Sequence, residues 1–223
     1  MPILNKKAKK GKLWSRFFSK GRFHGNVVLN YMRFPKGELA AYGRSYHVAG
    51  QHLVKRIAAS HYRDPDACPI VFIYRHAVEL YLKAIIHWGN SLLRLNGKPT
   101  APHKNIFAEH RLVVLLKSVK PILRLQKSLD NWGDSHSCSF RDVEKVIKEL
   151  EEFDPGSYSF RYPITTKGHD ALPHHFVFNV IAFGEKFDRL LRILDGMSTM
   201  VYEDFQSQAE AHYELKQIVS TGP

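Results

Sequence analysis

Residues 69–90 read PIVFIYRHAVELYLKAIIHWGN. Wound as a helix, this stretch is apolar over most of its circumference, and its polar side chains Arg75, Glu79, Lys83 and His87 follow one another at four-residue steps along one narrow line. A helix that is apolar on three sides belongs in the middle of a bundle, where neighbours cover it. Pro69 suits the first turn, because that turn has no intrahelical acceptor for an N–H and proline offers none. The stretch therefore predicts an all-α chain built around one central helix.

The flanking sequence supplies the neighbours. Residues 38–60 place Leu39, Tyr42, Tyr46, Ala49, Leu53 and Ile57 at three- and four-residue steps, a single apolar stripe that the Asp64-Pro65-Asp66 segment ends. LNGKPTAPHKN after the central helix reads as a loop. A third helix spans roughly 108–129, with Pro121 expected to kink or split it. Ser139 and Asp142 resemble a capping box opening a fourth helix, whose buried stripe is Val143, Val146, Ile147, Leu150 and Phe153 and whose Glu144 and Lys148 are spaced for a surface ion pair. After a loop over 154–173, a long apolar helical stretch runs from Phe176, with Gly196 a candidate interruption. No strand-like alternation lasts five residues. The expected fold is a bundle of five or six helices over 38–217, preceded by an arm at 1–37 and followed by a tail at 218–223.

The formal net charge of +12 is concentrated at one end. Residues 1–37 hold Lys6, Lys7, Lys9, Lys10, Lys12, Arg16, Lys20, Arg22, Arg33 and Lys36 with no acid, whereas the remainder is close to neutral. Such an arm attracts phosphates or anionic lipid with little specificity, or serves as a solvated extension. Cys68 and Cys138 are far apart and form no CxxC, which excludes a zinc knuckle or a dithiol redox motif. No secretory signal and no apolar run of membrane-spanning length is present, so a cytoplasmic protein is expected.

Three fragments, taken in order, resemble the HEPN superfamily (higher eukaryotes and prokaryotes nucleotide-binding). YRHAVELYLKAII at 74–86 is similar to the family's A-x-E-x-x-LK-A helix. His110-Arg111-Leu112 with Leu115 is similar to an H-x-L-x-x-L segment, and Tyr158-Ser159-Phe160-Arg161-Tyr162-Pro163 to the RYP element before the last long helix. The resemblance covers about residues 38–205 and implies a helical bundle, a homodimer, and RNA or nucleotide as ligand. It also implies a setting in prokaryotic toxin–antitoxin or antiviral systems, a protein partner, and no cofactor. Many such proteins are metal-independent ribonucleases with an R-x4–6-H motif on a late helix. Here Arg161 is followed by His169, seven residues intervening, and the one pair with the right spacing, Arg56 and His61, closes the first helix instead.

The candidate ligand-binding residues are Arg75, His76, Glu79 and Lys83 on the central helix, with Arg161 and Tyr162 in the RYP element. Arg75, Glu79 and Lys83 form a line that either faces phosphate or is internal, with Glu79 the expected buried partner of Arg161. Arg161 and Tyr162 suit phosphate binding and base stacking, or a rigid loop with Tyr162 packed inside. His169, His174 and His175 with Asp170 lack the fixed multi-ligand spacing of a zinc site, and no metal is expected. The resulting expectation is a non-catalytic module that binds RNA, nucleotide or a partner. The alternative is a metal-independent ribonuclease, with Arg161 acting beside an unusually placed histidine, His76 or His169.

Overall fold

The computed structural model describes Val27 and residues 35–59, 64–100, 105–125 and 140–221. Most of the basic arm, His61 and the Ser139 cap lie outside the described residues. The compact unit considered below begins at Lys36.

Five α-helices are present among the described residues: α1 (Leu39–Ala59), α2 (Ala67–Leu95), α3 (Leu112–Leu125), α4 (Phe140–Phe153) and α5 (Val180–Thr221). Short 3-10 turns, Pro35–Glu38 and Asp64–Asp66, lead into α1 and α2. The only extended pairing among the described residues is an isolated antiparallel bridge between Ile164 and Asp170, in the loop before α5. The all-α bundle is thus as expected. No described helix is long and apolar enough to cross a membrane.

α2 packs against α1, α3 and α5 at once, and α3 also packs against α4. Tyr74, Ala77, Val78, Tyr81, Leu82 and Ile85 are fully buried, which is the burial that an almost wholly apolar circumference demands. Two glycines let the neighbours come close. A Cβ on Gly50 of α1 would lie 2.6 Å from the Tyr74 ring, and one on Gly89 of α2 would lie 2.4 Å from Ile122 Cδ1 of α3. Polar ties join α1, α2 and α5 at the rim of this core. Arg44 grips Asp195 through two hydrogen bonds of 2.6 and 3.3 Å, and Asp188 Oδ1 accepts from Tyr74 Oη at 2.8 Å and lies 2.8 Å from His47 Nε2.

Several local expectations are corrected. Pro121 does not split α3, which continues through it to the fully buried Ile122 and Leu123. α5 does not begin near Phe176. Asn179 Oδ1 caps it by accepting from the backbone N–H of Ile181 and Ala182, both at 3.0 Å, so Phe176 and Phe178 stay in the loop. Gly196 does not interrupt α5, and the expected tail is helical as far as Thr221. Glu144 pairs with Lys120 of α3 rather than with Lys148, since helix-to-helix packing brings the lysine nearer.

The Gly89 contact yields a test that opposes helix propensity. Alanine is favoured over glycine in a helix by about 1 kcal/mol, yet Gly89→Ala forces its methyl into Ile122. We expect a net loss of about 1–3 kcal/mol in urea-induced unfolding. A gain in stability would show that α2 and α3 are not pressed together there.

Candidate phosphate- and base-binding site

The line Arg75–Glu79–Lys83 is internal. Arg75 is 0 % exposed, Glu79 2 % and Lys83 4 %, which removes all three from contact with a ligand. Four-residue spacing brings them together: Arg75 Nη1 donates to Glu79 Oε2 at 3.3 Å, and Lys83 Nζ donates to Glu79 Oε1 at 2.8 Å. Arg75 also reaches across the bundle. Nη2 donates to the His110 carbonyl at 2.8 Å, and Nε lies 3.1 Å from Asp154 Oδ2, with Glu151 at 3.6 Å. Lys83 donates in addition to the Phe107 carbonyl at 3.1 Å. These bonds pin the segment before α3 and the end of α4 onto α2. A buried charge is tolerated when opposite charges stand beside it, as they do here. Arg75 Nε, however, donates to the Asp154 carbonyl at 3.3 Å, which leaves Asp154 Oδ2 with the ion pair alone and no hydrogen bond among the described residues. Burial nonetheless raises the Glu151 carboxyl above its ordinary range, opposed by the Leu112 N–H that it accepts and by Arg75.

The expected Glu79–Arg161 pair is absent. Glu79 has its cations within its own helix, and its third partner is His110, whose Nδ1 lies 3.0 Å from Oε1. A carboxylate accepts, so Nδ1 carries the hydrogen, and the ring, 55 % exposed, turns Nε2 outward. His110 appears in a family-like fragment of the sequence. Its place beside Glu79 had no signal there, because 31 residues separate the two.

Arg161 faces solvent instead. Its Nε donates to the Ser157 carbonyl four residues back, and its guanidinium lies 5.5 Å from the Phe72 ring centre and 5.7 Å from that of Tyr162. No carboxylate among the described residues pairs with it. The loop that carries it is ordered from inside. Asp154 Oδ1 accepts from the N–H of Tyr158 at 2.6 Å and of Ser159 at 2.7 Å, and Ser157 adopts a left-handed φ of 67°. Tyr162 is 48 % exposed, not packed inside, and its ring lies 4.7 Å from that of Tyr158.

His76 joins the same patch. Its ring stacks on Phe72 at 5.9 Å and meets Tyr46 of α1 edge-on at 4.6 Å. Burial lowers its basicity below the ordinary histidine value, only partly offset by Glu79. The structure therefore brings together Arg161, Tyr162 and His76, adds Phe72, Tyr46 and Tyr158, and withdraws Arg75, Glu79 and Lys83. Phe72 was hidden within an apolar run, where periodicity marks it only as core.

His169 stands elsewhere, in a small hairpin where Thr165 N–H donates to its carbonyl at 2.7 Å. It lines an open groove of about 930 Å3 with Glu152, Asp170 and His174, and neither Arg161 nor His76 is among the groove's walls. Among the described residues no three His, Cys, Asp or Glu side chains are placed to hold a metal. Comparison with protein-family models, with curated proteins and with solved structures found no match.

The two arginines should separate cleanly. Arg75→Ala leaves the buried Asp154 carboxylate without its cation and takes one of two buried cations from Glu79, and should cost about 3–5 kcal/mol. Arg161→Ala removes two ring contacts and one hydrogen bond to the Ser157 carbonyl at the surface, strands no charge, and should cost about 1 kcal/mol. Urea unfolding of both variants decides it, and a large loss for Arg161→Ala would return that residue to a structural role.

Proposed function

We propose that this chain is a HEPN-like, non-catalytic module that binds RNA or nucleotide through Arg161 and the rings around it. One observation carries this reading: a solvent-facing guanidinium without a carboxylate partner among the described residues, set between two aromatic faces. Phosphate accepts from the guanidinium's free N–H groups, and a base stacks against the exposed part of Tyr162. The pinned loop holds the arginine in advance, so less freedom is lost on binding. The HEPN resemblance further implies a prokaryotic toxin–antitoxin or antiviral setting and a homodimer. Fluorescence polarisation with labelled single-stranded RNA tests the site. Arg161→Ala and Tyr162→Ala should each weaken binding about tenfold, in keeping with about 1–3 kcal/mol per stacked base, with unchanged circular dichroism. Undiminished affinity in both variants would refute the assignment. Because the basic arm also attracts polyanions, the measurement belongs at about 0.15 M salt, where that contribution is reduced.

A second reading has one observation in its favour. Arg161 and His76 share the Phe72 ring, so an arginine and a histidine suited to metal-independent RNA cleavage lie on one patch. Incubation of the protein with RNA in EDTA tests it. Cleavage that disappears in both Arg161→Ala and His76→Ala would establish a ribonuclease, and intact RNA leaves the binding module.

A further inference from the structure

Phe72, His76, Glu79, Lys83 and His87 recur at three- and four-residue steps, so they share one face of α2. What lies outside that face changes along its length. At the Phe72 end stand Arg161 and Tyr162. At His76 the ring itself is half-buried beside Tyr46. Beside Glu79 lies the exposed imidazole of His110. Over Lys83 the covering segment presents Phe107, 40 % exposed, whose carbonyl accepts from the lysine beneath. At the far end, His87 lies 6.5 Å from the Phe107 ring, and Lys36 Nζ lies 5.2 Å from the same ring on the exposed surface. Burial lowers the basicity of His87, and the nearby charges of Lys36 and Arg94 lower it further, which sets two cations beside it.

We propose that this face is a continuous track for a single strand of RNA, with a second stacking subsite at Phe107 and Lys36 in addition to the one at Arg161 and Tyr162. The inference rests on the reading of Arg161 as a ligand contact and extends it from one nucleotide to a strand. From Phe72 to His87 the helix rises about 22 Å. That length takes about four nucleotides, near the lower end of site sizes for single-strand binders. The chemistry suits such a ligand: cations for phosphates at the two ends, and the exposed rings of Tyr162, His110 and Phe107 for bases. The acid at the centre does not repel the strand. Glu79 is buried beside His110 and already shared between Arg75 and Lys83. A duplex is a poor occupant, because its bases are not free to stack on side chains.

The test compares AMP with oligoadenylates of two, four and eight nucleotides on the full chain, each as a competitor of a labelled tetranucleotide. We expect affinity to rise at least tenfold from AMP to the tetranucleotide and to change little from four to eight. Phe107→Ala and Lys36→Glu, both at exposed positions, should erase most of that gain, so that the tetranucleotide binds each variant little better than AMP does. Arg161→Ala should weaken every ligand in the series. Equal affinity for AMP and the tetranucleotide would overturn the track and leave a nucleotide site at Arg161. A gain that survives both distal variants, or continues to grow beyond four nucleotides, would overturn it too, since the added contacts would lie elsewhere. No binding in the series, or none sensitive to Arg161→Ala, would reject the proposed function itself.

Discussion

The guanidinium of Arg75 is the tie on which the site depends. Fully enclosed, it holds Glu79 within α2, the His110 carbonyl before α3, and the Asp154 carboxylate at the end of α4. Planar, forked donors suit this arrangement, because one side chain can satisfy acceptors in several directions without moving. Asp154 then passes the constraint outward. One of its oxygens faces Arg75, and the other accepts two backbone N–H groups of the loop that carries Arg161. An arginine that touches no ligand thereby fixes the geometry of one that is free to do so. The division of labour is physical: a buried charge must spend its bonds internally, and an exposed one need not.

The same logic separates what was legible in the sequence from what was not. The all-α class and the central place of α2 follow from apolar coverage of three sides of one helix, and such a helix has no other stable home. The interior character of Arg75, Glu79 and Lys83 was legible as one of two alternatives, but the partner assigned to Glu79 was wrong. That assignment looked for a cation in a distant loop, although Arg75 and Lys83 stand one helical turn away on either side. Local spacing had already supplied the compensation. Arg161, relieved of that duty, faces the solvent.

Other features depend on tertiary packing and leave no periodic trace. Phe72 counts as one more apolar residue until Arg161 is found beside its ring. His110 acquires a role only because Lys83 and Arg75 hold its segment against α2 by backbone carbonyls, and carbonyls are the same at every residue. The start of α5 was misplaced for a simpler reason. Phe176 and Phe178 prolong the apolar pattern backwards past Asn179, and a cap is a stronger boundary than hydrophobicity.

α5 is one unbroken helix with two different energetic regimes. Up to Val201 its inward face is locked into the core, with Leu191, Leu194 and Val201 fully buried. From Glu210 to Ser220 every residue is exposed. Backbone hydrogen bonds in the first part break only when the bundle opens, whereas those in the last three turns break by fraying, at little cost to anything else. Amide exchange along this helix therefore has a step in it: slow, globally controlled protection gives way to fast local exchange although the backbone geometry does not change. Continuity of shape here does not mean continuity of stability.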